Sequence, residues 1–245
     1  MVTSIDQRSH ETTAAAVSTG GPVAGGLMVA GLLINVGFTL VHPSGHEDDH
    51  PAIFAEYAAS DAWVAVHLGQ FVGVSCALAG LLVLYRTLLV PGAASVVANL
   101  GAAAVIATAA VWAVLQGLDG VGLKQAVDTW AVTTGPERSV RLADAEIIRW
   151  LEWGFQSYFR VLLGFSFALI GAAALLTRRI PAWLGWAAVL AGACSVVIGV
   201  DVGYNGLASG LQDTLSLAFL LIVVVFAVGV LVTGLRDRAG QPHHA

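Results

Sequence analysis

The chain has 245 residues, of which 57% are hydrophobic and 11% are charged, with a net charge of −5 and a mean hydropathy of +0.81. Soluble domains carry about 25% charged residues, so a soluble enzyme is excluded as the default class. The sequence also lacks the basic patch that nucleic-acid binding requires, and we expect no nucleic-acid partner.

Six apolar runs are each long enough to cross about 30 Å of hydrocarbon, which takes about 20 helical residues. They predict an all-α polytopic transmembrane helix bundle in a lipid bilayer, the plasma (inner) membrane. The predicted spans are about 22–41, 62–88, 93–116, 153–177, 183–203 and 215–235, within one membrane domain over 21–236. Residues 1–20 are predicted to form a disordered cytoplasmic tail. Residues 237–245 are predicted to form a second cytoplasmic tail.

The orientation is predicted from the basic residues of the short loops. Loop 43–61 contains no Lys or Arg, whereas basic residues gather at the opposite ends of the spans. Both termini are therefore predicted inside, and the loops 43–61 and 117–149 are predicted to be extracytoplasmic. The predicted inner basic residues are Arg8, Arg86, Arg178, Arg179, Arg236 and Arg238.

Segment 117–149 is the longest connection between spans. Leu123, Val127 and Trp130 repeat within it at helical spacing, which predicts a short amphipathic helix on the membrane surface. This helix is a candidate lid. Just before the segment, Gln116 and Asp119 share one helix face at the end of the third span.

Polar side chains of the spans gather at the predicted outer ends. This asymmetry favours a pocket open to the outside over a transporter or channel, which needs a polar path through both leaflets. The fourth span carries a polar stripe from Arg149 to Arg160, and Asp201 is the predicted partner of Arg160, with Glu152 as the alternative. The candidate ligand-binding residues are Arg160, Gln156, Gln70, Gln116, Asp201 and Tyr204.

Four histidines lie in the stretch from the end of the first apolar run to the start of the second, 42–67. His42, His46 and His50 are four residues apart, but the Pro and Gly residues among them predict a loop, so the spacing has no helical meaning. Histidines next to carboxylates suit a divalent metal ion; a solvated acidic loop is the alternative. His67 lies inside the second span, where it can pair with His42 to bind a metal or haem, or act as a general base.

The His42–Pro43 step after the first span and the Trp63-x-x-x-His67 motif that opens the second are similar to a pattern in small uncharacterised bacterial membrane proteins of about six helices. This resemblance covers about the first third of the chain. It implies a six-helix fold and adds weight to His42 and His67, but it implies no reaction.

Three functional hypotheses follow from the sequence. In the first, an outward-facing pocket binds a small molecule, a metal or haem, with His67 and Glu152 as candidate catalytic groups and Arg160 holding an anionic group. In the second, the protein is a non-catalytic scaffold or accessory subunit whose polar residues serve helix association. A small-solute transporter is third. Catalysis, protein partners and oligomeric state stay open.

Overall fold

The computed structural model describes residues 3–43, 45 and 49–240, with side chains described from residue 20 onwards. This part of the chain is helical and contains no strand, which confirms the all-α prediction. The helices are α1 (Thr3–Thr39), α2 (His50–Ala59), α3 (Trp63–Thr87), α4 (Ala93–Gly117), α5 (Lys124–Val132), α6 (Glu137–Thr177), α7 (Ala182–Asn205) and α8 (Gly210–Ala239). A π-helical segment, Leu118–Leu123, joins α4 to α5.

Six of these helical stretches are long and apolar enough to cross a membrane, as the sequence predicts, and the protein is a multi-pass membrane protein. Large apolar side chains such as Leu33, Trp186 and Leu217 are exposed on the outside of the bundle, as expected where a helix faces lipid. Inside the bundle, α6 packs mainly on α7 and α4, and α1 packs on α3 and α8. The membrane core therefore lies between α1, α3, α4, α6, α7 and α8.

Two segments differ from the sequence-based expectations, and a third agrees. Helix α1 begins at Thr3, so the stretch predicted as a disordered tail continues the first helix. The 43–61 loop contains α2, whose start is capped by Asp49 through a 3.2 Å hydrogen bond from the Ala52 amide. In the 117–149 segment the predicted helix around Leu123 and Trp130 is present as α5, which continues from α4 through the π-helical segment.

A second hydrophobic core covers the apolar face of α5. The apolar face of α5 packs against α2 and the first turns of α6, and this assembly, with Trp63, forms what we call the cap. Lys124 supports the cap by donating from Nζ to the Tyr57 and Ala58 carbonyls at the end of α2. The core residues of the cap are Ile53, Phe54, Tyr57, Trp63, Leu123, Val127, Trp130 and Ala145.

Close packing of α6 on α7 depends on glycines seven residues apart on both helices. A Cβ atom on Gly192 would lie 2.6 Å from the Gly164 carbonyl oxygen, and a Cβ on Gly164 would lie 2.6 Å from the Gly192 oxygen. Small residues let helix backbones approach in membranes, where packing contacts rather than water exclusion hold helices together. The α6–α7 pair positions the polar stripe of α6 relative to the rest of the bundle.

Gly192→Leu should lower the free energy of unfolding by about 1–3 kcal/mol or more, because the new side chain meets backbone atoms that cannot move independently. Thermal unfolding of the purified protein in detergent measures this change. Gly154→Leu is the matched control, because a Cβ at Gly154, on the partner helix α6, meets nothing within 4 Å. Equal stability of the two variants would contradict the close approach of α6 and α7.

Candidate functional site

Three side chains from different parts of the chain converge beneath the cap. His42 follows α1, His67 lies one turn into α3, and Asp119 lies in the π-helical segment. Each offers one atom able to bind a metal, and these atoms all lie within 4.8 Å of one another. The convergence brings together His42 and His67, the two histidines at the ends of the predicted loop, and adds a carboxylate.

Hydrogen bonds to the backbone orient both imidazole rings. His67 Nδ1 donates to the Trp63 carbonyl oxygen at 2.8 Å, and His42 Nδ1 donates to the Pro43 carbonyl oxygen at 2.6 Å. Because a carbonyl oxygen only accepts, these contacts assign the proton to Nδ1 in each ring. The Nε2 atom of His67 then faces Asp119 Oδ2 at 2.9 Å.

The π-helical segment brings Asp119 close to His67. The Trp63 indole donates from Nε1 to the Asp119 carbonyl oxygen at 3.0 Å. The next residue, Gly120, allows the close approach, because a Cβ there would lie 2.5 Å from His67 Cβ. Asp119 Oδ1 is buried and has no hydrogen-bond partner among the described residues. Such π-helical insertions occur frequently at functional sites.

Trp63 contacts all three of these residues. Its ring centroid lies 4.9 Å from that of His42 and 4.4 Å from that of His67, and its indole N–H binds the Asp119 backbone. Trp63 is itself fully buried and packs on Tyr57 in the cap, at 4.1 Å between ring centroids. One residue of the cap therefore borders each potential metal ligand.

Burial sets the charge state of two groups beside the site. It lowers the pKa of His42, and the neighbouring His67 lowers that pKa further. Burial also raises the pKa of the Tyr57 phenol, with the negative charge of Glu152 as the next cause. Near neutral pH, His42 is therefore the uncharged imidazole and Tyr57 the uncharged phenol.

A cavity of about 570 Å³ extends from these residues into the membrane core. It is bounded by α1, α3, α4, α6 and α8, and its polar lining is concentrated near the cap. Among the residues predicted to bind a ligand, Gln70, Gln116, Gln156 and Arg160 line this cavity, as does the catalytic candidate Glu152.

The upper part of the α6 stripe forms a buried ion pair. Arg149 Nη1 lies 2.7 Å from Glu152 Oε2, and the two side chains are 2% and 6% exposed. The Arg149 guanidinium also lies 5.7 Å from the Tyr57 ring centroid and 5.8 Å from that of Trp153. The pair links the polar stripe to the cap, and it leaves Glu152 with its charge already matched.

Arg160 differs from the sequence-based expectation, because neither predicted partner reaches it. Asp201 accepts hydrogen bonds from Asn205 Nδ2 at 2.7 Å and from Gln212 Nε2 at 2.8 Å, while Glu152 is paired with Arg149. Arg160 Nε is buried without a hydrogen-bond partner among the described side chains. The Arg160 guanidinium lies 5.7 Å from the Phe219 ring centroid.

The remaining candidates lie elsewhere. Asp201 and Tyr204 do not line the cavity, and Tyr204 is 86% exposed. His50 starts α2 and lies 3.1 Å from Glu146, and His46 falls outside the described residues. The sequence placed Asp119 on one helix face with Gln116 but gave it no ligand role, and that shared face was its only signal.

Comparison of the chain with protein-family models, with curated proteins and with solved structures found no match in any of the three.

Proposed function

We propose that this protein is an integral membrane metalloprotein that binds one divalent transition-metal ion through His42, His67 and Asp119. The ion is Zn²⁺, because imidazole nitrogen and carboxylate oxygen are donors that zinc prefers. The convergence of their ligand atoms within 4.8 Å carries the proposal. Imidazole nitrogen and carboxylate oxygen bind zinc at about 2.0–2.2 Å, so small side-chain adjustments bring these three groups around one ion. His67 is then a metal ligand rather than a general base.

The surroundings of the three residues support metal binding. A metal-ligating histidine almost always donates its second N–H to a carbonyl or carboxylate, and His42 and His67 both donate from Nδ1 to backbone carbonyls. Asp119 Oδ1 is a buried carboxylate oxygen without a hydrogen-bond partner among the described residues. Burying such an atom costs free energy that coordination of a cation would offset.

A bare ion suits the site better than haem. On the side of His67 where an axial iron would lie, Asp119 Oδ2 is only 2.9 Å from Nε2. A carboxylate at that distance leaves no space for a porphyrin plane between the histidines, whereas it completes a three-ligand set for a small ion. Softer ions are disfavoured, since neither cysteine belongs to the cluster.

Three protein ligands and an open fourth position are characteristic of catalytic rather than structural zinc. His42 and Asp119 also line the cavity, so the fourth position faces the space where a ligand would bind. Zinc lowers the pKa of a bound water to about 7 and supplies a nucleophile for hydrolysis. Glu152, on the cavity wall, is the candidate proton acceptor.

The distribution of Lys and Arg leads us to propose that this end of the bundle faces the outer side of the plasma (inner) membrane.

Metal analysis of the detergent-purified protein tests the proposal. After treatment with a chelator and reloading with Zn²⁺, the wild type should retain one ion per chain, whereas His42→Ala and His67→Ala should retain almost none. His50→Ala is the control, because His50 pairs with Glu146 and is not part of the cluster. Loading with Co²⁺ should give the visible absorption of a four-coordinate site in the wild type and in His50→Ala only.

The 2.9 Å contact between His67 and Asp119 also favours a second candidate, a metal-free acid–base dyad. A wild type that retains no stoichiometric Zn²⁺ and gains no thermal stability from it would overturn the metal proposal and leave this dyad. Thermal unfolding without metal should be similar for the wild type and His42→Ala, which separates loss of the ion from loss of the fold.

A further inference from the structure

We propose that the cavity holds an anionic amphiphile, whose carboxylate or phosphate group binds Arg160 and whose hydrocarbon chain lies against the apolar wall deeper in the membrane core. This inference rests on the proposed function, because it takes the cavity as the place where a small molecule binds beside the metal site. It adds the chemical class of that molecule. The argument depends on Arg160, on the other unsatisfied polar atoms of the cavity, and on its apolar wall.

The balance of charge around the cavity favours an anion. Glu152 is paired with Arg149 at 2.7 Å, and Asp119, 2.9 Å from His67 Nε2, is matched by the proposed ion. Arg160 lines the same cavity, and no hydrogen bond or ion pair joins its guanidinium to another described residue. An ionisable group at this depth is costly unless it has a partner. A bound anion supplies that partner.

The position of Arg160 on α6 directs its side chain into the cavity. It lies eight residues after Glu152, about 12 Å along the helix at 1.5 Å per residue. The Cα–Cβ bonds of a helix tilt toward its N-terminus, and α6 begins in the cap, so the Arg160 side chain leans toward the polar end of the cavity. The anionic group would then lie between the metal site and the apolar wall.

Two further polar atoms of the cavity lining are unsatisfied. Trp112 Nε1 is a buried donor and Gln116 Oε1 a buried acceptor, and neither has a hydrogen-bond partner among the described residues. Together with Arg160 Nε, the indole N–H gives two donors that suit the oxygens of a carboxylate or phosphate. The unsatisfied acceptors of the lining, Gln116 Oε1 and Asp119 Oδ1, equal these donors in number, so the preference for an anion comes from the positive charge of Arg160.

The deeper part of the cavity is apolar. Its volume of about 570 Å³ falls within the range of about 300–1,000 Å³ typical of small-molecule sites. A small, purely polar anion would leave the apolar part of the cavity unfilled. A hydrocarbon chain would fill it and pack against its apolar side chains. The apolar residues below Arg160 include Met28, Leu81, Leu163, Phe167 and Val223.

Binding of three twelve-carbon probes to the full-length protein in non-ionic detergent tests the inference: dodecanoate, dodecyl phosphate and the neutral dodecanol. The wild type should bind both anions about 10-fold to 100-fold more tightly than dodecanol, as expected for charge-assisted hydrogen bonds to a guanidinium. Comparison of the two anions identifies the head group. Dodecanol binding as tightly as both anions would overturn the inference.

Arg160→Met should remove that preference for anions, and Arg160→Gln, which keeps a hydrogen-bonding side chain without the charge, serves if Arg160→Met does not fold. Either variant binding dodecanoate as tightly as the wild type would overturn the role of Arg160. Zn²⁺ stoichiometry separates the two proposals. Arg160 variants should keep the ion, while His42→Ala should lose the ion and still prefer dodecanoate to dodecanol.

Discussion

Asp119→Asn should lower the affinity for Zn²⁺ by more than about 100-fold. Loss of a hydrogen-bonded group behind a metal ligand costs about 10-fold to 100-fold in affinity, and loss of a charged ligand should cost more. Asparagine has almost the same shape and retains a hydrogen-bonding group toward His67, 2.9 Å away, so the fold should persist. Competition with a chromophoric chelator measures the affinity.

Asp128→Asn is the matched control for this variant. Asp128 lies on α5 and pairs with Lys124 at 2.7 Å, but its side chain is 49% exposed and is not part of the cluster. The control should bind Zn²⁺ as the wild type does. Equal losses in the two variants would show that the effect comes from the overall charge of the protein rather than from coordination by Asp119.

Arg149→Met should lower the free energy of unfolding by about 3–5 kcal/mol. Removing one member of a buried ion pair leaves the other charge buried, and Glu152 is only 6% exposed on its side chain. The methionine side chain occupies most of the space of the apolar part of Arg149. The loss of stability therefore comes mainly from the unpaired charge of Glu152. Denaturant or thermal unfolding in detergent measures it against the wild type.

The double variant Arg149→Met/Glu152→Leu should recover most of this loss, because replacing both charges with apolar side chains is often neutral or stabilising. A double-mutant cycle with Glu152→Leu then gives the coupling between the two residues. Additive effects would contradict a direct buried pair. Recovery of stability together with unchanged Zn²⁺ binding would assign the pair to the fold rather than to the metal site.

The bundle was predictable because the length of an apolar run is a local property of the sequence. Six spans follow from hydropathy alone, and the structure bears them out. The cap was missed because α2 is short and the prolines around it suggested a loop. Its helical signal, the spacing of Ile53, Phe54 and Tyr57, has meaning only once α5 supplies a partner surface.

The partners of polar side chains were less predictable, because they depend on how each helix is rotated about its axis. Asp201 was predicted to pair with Arg160 but turns toward Gln212. Asp119 was assigned no role because a regular helix gives no sign that a π-helical turn would bring it beside His67. A lone acidic residue at the end of a span is also compatible with a solvated position.

The three proposed metal ligands, His42, His67 and Asp119, are all held by one residue that is not itself a proposed ligand. Trp63 belongs to the core of the cap, yet its carbonyl holds His67, its indole N–H holds the backbone of Asp119 and its ring contacts His42. Any shift of α2 or α5 that moves Trp63 must therefore be transmitted to all three ligands at once. The geometry of the proposed metal site is thus mechanically tied to the packing of the cap.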